Sequence, residues 1–131
     1  FHPNGKIAAR FMHKWFNVNE REETQVKAID FSKKHRIEVK EDGSAIHPMK
    51  INGRLCWMTK MGITQVADQA EEYVTKNPKY LEFAEYCINN NLTPSFEWCS
   101  PFNQIVVPYE EDKLVLLCLR HNVTGEYIKI Y

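Results

Sequence analysis

The sequence predicts an α+β fold of antiparallel sheets with two helices, and three observations carry that reading. Two amphipathic helical stretches stand together mid-chain, short apolar runs of strand length lie before and after them, and an Asn52-Gly53 pair separates two such runs. Taken in order, Ile7 to Phe11 reads as a short strand after the Pro3-Asn4-Gly5 turn. Residues 18–25, with Asn19, Glu20, Arg21, Glu22 and Glu23, read as a solvated loop or helix start. His35 to Val39 alternates polar with apolar, the pattern of a half-buried strand. Ala45 to Lys50 and Leu55 to Lys60 flank Asn52-Gly53, a strong hairpin signal.

Gln65 to Lys76 puts Val66, Ala70, Tyr73 and Val74 on one helical face. Asn77-Pro78 then caps and opens a second helix, Lys79 to Asn89, with Leu81, Ala84, Cys87 and Ile88 as its apolar stripe. Strands follow at Ser95 to Cys99, Gln104 to Val107, Lys113 to Arg120 and Glu126 to Tyr131. Glu110-Glu111-Asp112 and Val123-Thr124-Gly125 supply the last turns. No repeat, low-complexity tract or Gly/Ser linker divides the chain.

The chain has 131 residues, room for one modest core, and its 17 Lys+Arg balance 17 Asp+Glu. Neutrality excludes a strongly basic, charge-driven nucleic-acid binder but allows a locally basic cleft. No apolar run approaches the ~20 residues a membrane span needs. Phe1-His2-Pro3-Asn4-Gly5 has neither the basic start nor the apolar stretch of a signal peptide, so a cytoplasmic, membrane-free setting is expected. Cys56, Cys87, Cys99 and Cys118 form no CxxC pair and read as buried free thiols of a reducing compartment. The five histidines show neither HExxH nor an i, i+4 pair, and GxGxxG, GxxxxGK[ST] and GxSxG are all missing.

The chemistry-bearing candidates cluster around Lys40-Glu41-Asp42-Gly43-Ser44. A lysine at a strand end can act as a nucleophile when its surroundings favour loss of the proton, and Asp-Gly lets backbone approach a ligand closely. The same residues also make a good polar turn. Arg10, Lys14, Trp15 and Phe16 mix cations with aromatics, which suits phosphate contact beside base stacking, or an edge strand in solvent. The hairpin returns Lys60 toward Ser44, where a second ammonium could hold a polyphosphate. Glu97 lies between Phe96 and Trp98, so alternation sends its carboxylate to the opposite face, toward a ribose diol, a lysine or water.

Lys40-Glu-Asp-Gly43 resembles motif I (KxDG) of the covalent nucleotidyltransferases, the ATP-dependent ligases and mRNA capping enzymes. The flanks are similar to one branch, the T-even-bacteriophage-type RNA ligases that repair cleaved tRNA. They are Arg10-Phe-Met-His-Lys14-Trp-Phe16-Asn17-Val-Asn19-Glu20, Phe96-Glu97-Trp-Cys-Ser-Pro101-Phe-Asn103 and Thr124-Gly-Glu-Tyr-Ile128. The resemblance spans essentially the whole chain. It implies ATP as substrate with Mg2+ or Mn2+, a lysyl-AMP intermediate on Lys40, AMP transfer to an RNA 5′-phosphate, and sealing to a 3′-OH, with tRNA among the RNAs.

By position, the resemblance sets Lys14 near the phosphates with Phe16 beside it. It makes Lys60 a further nucleotide-site lysine, Glu97 the ribose-contacting acid and Glu41 the residue whose backbone lies near the adenine. The family's upstream Arg-Gly element, its motif IV acid and its motif V Lys-x-Lys strand have no match, Lys129-Ile130-Tyr131 being the last residues. Residues 1–131 are therefore expected to be a partial adenylyltransferase domain. A DNA ligase or a GTP-using capping enzyme shares Lys40-x-Asp42-Gly43, and a non-catalytic nucleotide- or RNA-binding module could also keep it.

Overall fold

A computed structural model describes residues 1–130 of the chain. Its strands are β1 (Ser44–Ile51), β2 (Arg54–Met58), β3 (Leu92–Cys99), β4 (Lys113–His121) and β5 (Tyr127–Ile128). They form one antiparallel sheet in the order β2-β1-β3-β4-β5. Two helices, α1 (Gln65–Lys76) and α2 (Pro78–Asn89), lie between β2 and β3 in the chain and cover one face of the sheet. The class is the α+β arrangement that the sequence predicts.

Local chemistry explains the elements. Asn52 and Gly53 have φ of 50° and 80°, the two positive values that a two-residue hairpin turn of the right twist demands. Thr64 caps α1 by accepting the Ala67 N–H at 3.4 Å. Pro78 opens α2, where a missing N–H costs nothing. Asn91, at φ 57°, turns the chain out of α2 into β3. Arg54 on β2 meets Glu71 on α1 at 2.6 Å, and the other Glu71 oxygen accepts the Trp57 N–H at 3.4 Å.

The core lies between helices and sheet. Ile46, Trp57, Phe96, Trp98 and Leu114 project from the strands onto Ala70, Val74 and Ala84 of the helices. Trp57 and Phe96 stand 5.4 Å apart and Tyr73 and Trp98 5.3 Å apart, centroid to centroid and tilted, the arrangement aromatic quadrupoles favour. Burying a side chain such as Phe96 is worth roughly 1.5–3 kcal/mol. This layer fixes which residues of β3 face away: Glu97 sits between buried Phe96 and Trp98 and points to the face opposite the helices.

Three expected strands are absent, and each loss has a physical reason. Ile7 to Phe11 crosses the second face of the sheet without joining it. There the Arg10 N–H goes to the Thr93 hydroxyl at 2.9 Å, and the Arg10 guanidinium to the Asn122 and Val123 carbonyls at 3.2 and 3.1 Å. Side chains thus take the bonds that a strand ladder would have taken. His35 to Val39 finds no partner strand and no face to bury, so Ile37 and Val39 are each 87% exposed.

Gln104 to Val107 is bent because the Asp42 carboxylate takes both the Val106 and Val107 N–H groups, at 2.6 and 2.7 Å. Strand β3 starts at Leu92, ahead of the expected Ser95. Pro94 is tolerated because β1 pairs only with Phe96 to Trp98, leaving Pro94 opposite Leu119 alone. The last strand is only Tyr127–Ile128, and Tyr131 of the expected strand lies outside the described residues. Residues 18–25 form a loop with a single 3-10 turn at Glu22–Thr24. Cys56, Cys87 and Cys99 are buried free thiols, and Cys118 is a half-buried one.

Candidate active site

The site is built where the chain enters β1. Ser44 pairs with Trp98, so Gly43 runs against the end of β3. A Cβ at Gly43 would stand 2.1 Å from the Trp98 carbonyl oxygen, so only glycine fits this approach. The Gly43 N–H donates to Glu97 Oε1 at 3.0 Å, across 54 residues of sequence.

The two preceding residues are held as firmly. The Asp42 N–H donates to the Tyr109 hydroxyl at 2.9 Å, while the Asp42 carboxylate clamps the Val106 and Val107 amides. Glu41 accepts from Lys113 Nζ at 2.9 Å and from the Tyr109 hydroxyl at 3.0 Å. Lys40, next in line, is exposed at the mouth of the cleft.

The carboxylates differ in environment. Burial pushes the Glu97 carboxyl above its ordinary range, against the Gly43 N–H and the positive charge of Lys40, which pull it down. The hydrogen bond from Lys113 holds Glu41 low, and the Val107 and Val106 amides hold Asp42 low.

Beside this turn lies a cleft of about 740 Å³, within the size range of small-molecule sites. Its floor is Val115 to Cys118 of β4, where a β-bulge opposite Ser95 and Phe96 disturbs the alternation. Trp15, Arg36, Glu38, Val39 and Tyr127 form walls, and Lys40, Glu41 and Glu97 lie together in the lining. An amine at the rim, a carboxylate within and an apolar, aromatic-edged floor suit a flat ring joined to a hydroxylated sugar, with an electrophile at the rim.

Of the six residues singled out in the sequence, three line this cleft and three do not. Lys14 is exposed, with its Nζ 5.1 Å from the Phe16 ring centroid, and Arg21 approaches the same ring at 4.8 Å. Trp15, between Lys14 and Phe16, is the side chain of that segment that reaches the cleft. Lys60 is exposed in the Thr59–Gly62 turn, two residues beyond Met58, which pairs with His47. The register does return it to the Ser44 end of the hairpin.

The sequence reading misses Arg36, Tyr109 and Lys113, and has Trp15 only as part of a mixed cationic and aromatic run. The Lys113–Glu41 contact spans 72 residues, and no local pattern announces such a pairing. Among the described residues no group of three or more His, Cys, Asp or Glu side chains could hold a metal ion.

Residues 2–131 match the family described as RNA ligase. The chain is also 34% identical over 125 residues to a candidate RNA ligase of Thermovibrio ammonificans. That match covers 95% of this chain and 33% of the relative, so the chain spans about a third of the relative's length.

Proposed function

Because the chain belongs to the RNA ligase family, we propose that it supplies the lysine-centred nucleotide site of an ATP-dependent RNA ligase, as a partial adenylyltransferase domain over residues 1–131. The observation that carries this reading is the Gly43 N–H to Glu97 bond of 3.0 Å, which holds the Lys40 turn against the carboxylate of the cleft.

In the proposed reaction Lys40 Nζ attacks the α-phosphorus of ATP as the neutral amine. The N–P bond forms while the bond to the pyrophosphate oxygen breaks, and the lysine proton passes to solvent at the exposed rim. An oxygen of the RNA 5′-phosphate then attacks the same phosphorus, the N–P bond breaks and Lys40 regains a proton. Finally an RNA 3′-OH attacks the activated 5′-phosphate and AMP departs.

Such transfers depend chiefly on positioning and on cations near developing charge. Glu97 is assigned to the ribose hydroxyls and the Glu41 backbone to the adenine edge. Lys14, with Phe16 beside it, and Lys60 are assigned to the polyphosphate from their exposed positions. Mg2+ or Mn2+ would arrive on the phosphate oxygens of the nucleotide, the usual way such ions enter phosphoryl-transfer sites. RNA with 5′-phosphate and 3′-OH ends is the proposed substrate, cleaved tRNA included.

The test incubates the protein, in the longest form that carries this chain, with labelled ATP and Mg2+ or Mn2+. An AMP mass on the Lys40 peptide, abolished by Lys40→Ala, is expected. No adduct, or one that survives Lys40→Ala, overturns the assignment. Labelling by GTP in place of ATP would mark a capping enzyme, sealing of DNA nicks a DNA ligase, and ATP binding without transfer a non-catalytic module.

A further inference from the structure

The zero net charge is unevenly spread along the chain. Residues 1–40 carry nine Lys or Arg against five Asp or Glu, and residues 41–131 carry eight against twelve. The excess positive charge gathers in Lys33-Lys34-His35-Arg36, all exposed and all outside the sheet. The run leads straight into the cleft, since Arg36, Val39 and Lys40 line it. Lys40 is the fourth residue after Arg36, at most about 14 Å of extended chain away.

The strap also carries an aromatic platform. The Asp30 carboxylate accepts the Ser32 N–H at 3.0 Å and its hydroxyl at 2.6 Å, which fixes the turn beneath the strap. Phe31 is 57% exposed, and the His35 ring meets it edge-on with centroids 5.7 Å apart. His35 is oriented by its Nδ1–H, which donates to the Lys33 carbonyl at 2.7 Å. The acid beside Lys33 holds it only loosely. Lys33 to Asp30 is 4.0 Å, in solvent, and an exposed pair of this kind is worth about 0–1 kcal/mol. A phosphate can replace that carboxylate at little cost.

We infer that residues 31–36 form a single-strand RNA grip that leads the substrate to Lys40, with Lys33, Lys34 and Arg36 on successive phosphates and Phe31 stacking on a base. This rests on the RNA ligase reading and extends it to a surface outside the nucleotide cleft. Cations interleaved with an exposed ring are what sequence-tolerant binding of unpaired strands requires, because a backbone track and a stacking face serve any base. An acidic protein would satisfy the cations alone and leave Phe31 unexplained.

The test uses the protein in its longest available form and a fluorescent, 5′-phosphorylated single-stranded RNA, with binding followed across a range of salt concentrations. Lys33→Gln/Lys34→Gln should leave lysyl-AMP formation from ATP unchanged. It should make the slope of log affinity against log salt shallower by about 1.4, two single-strand phosphate contacts. Phe31→Ala should weaken binding roughly 5- to 100-fold with the slope unchanged, as loss of one stacked base does.

An unchanged slope in the double variant overturns the grip while leaving the ligase reading intact. A protein that binds RNA through the strap yet forms no adduct supports the grip and overturns the ligase reading. Wild-type protein that binds no RNA overturns the grip, as does duplex RNA or polyglutamate competing as well as the single strand.

Discussion

At Gly43 a hydrogen atom occupies the place where any other residue would put a carbon 2.1 Å from the Trp98 carbonyl oxygen. That oxygen belongs to the β3 backbone, held between β1 and β4, so it cannot yield as the tip of a side chain could. Gly43→Ala must therefore move the turn itself. The displaced turn loses the Gly43 N–H to Glu97 bond, leaving a half-buried carboxylate without its donor. Chemical denaturation should show a loss of about 1–3 kcal/mol, the usual cost of forcing atoms into packed space. Lysyl-AMP formation should fall at least about 10-fold, since an ångström of misplacement is costly to an in-line transfer. Unchanged stability together with unchanged adenylation would contradict this picture of the turn.

At the scale of elements, the same carboxylate chemistry decides what is strand and what is loop. Asp42 holds the Val106 and Val107 amides, and those amides hold its carboxyl below the ordinary range. A depressed carboxylate contributes stability above its ordinary pKa, about 3.9, and loses it as the pH falls through its lower folded value. Asp42→Ala should make the Val106 and Val107 amides exchange with deuterium markedly faster while β3 and β4 amides keep their protection. Equal protection in both proteins would show that something else holds this loop.

The contrast explains what could be read from the sequence. Gln65 to Lys76 and the Asn52-Gly53 hairpin obey local rules, namely helical spacing, a threonine cap and a turn with two positive φ angles, and they stand where those rules put them. Ile7 to Phe11, His35 to Val39 and Gln104 to Val107 have strand-like composition. In the first and last of these, whether the amides meet a ladder or a distant side chain is settled by residues 64 to 83 positions away, as with Val106 and Asp42 or Arg10 and Thr93. In the site, motif I points to Lys40 and Glu41, and alternation between Phe96 and Trp98 points to Glu97; these three line one cleft. Tyr109 and Lys113 are not legible, because their partnership with Glu41 exists only after β4 has docked on β3.

For the molecule as a whole, His47 links the segment crossing the second face to the sheet. It is buried on β1, 5.5 Å from the Phe11 ring, and burial pushes its imidazole below the ordinary value. The unfolded chain therefore binds this proton more readily than the folded one. The neutral ring's share of stability is complete above about pH 6.5 and is lost as the pH falls below it. Thermal unfolding of the wild type should drop between about pH 6.5 and pH 5 more steeply than that of His47→Gln, which has no proton to gain. Parallel profiles would mean that His47 titrates in the folded state as it does in water.

The 54-residue span between Gly43 and Glu97 has a kinetic meaning as well. The β1–β2 hairpin and the α1–α2 pair are local and can form early, whereas joining β1 to β3 must close a loop containing both of them. The lysine turn and its acid meet only at that closure. A chain that has collapsed without it already has helices and a hairpin but no assembled lysine turn, so formation of the proposed nucleotide adduct would report that long-range closure.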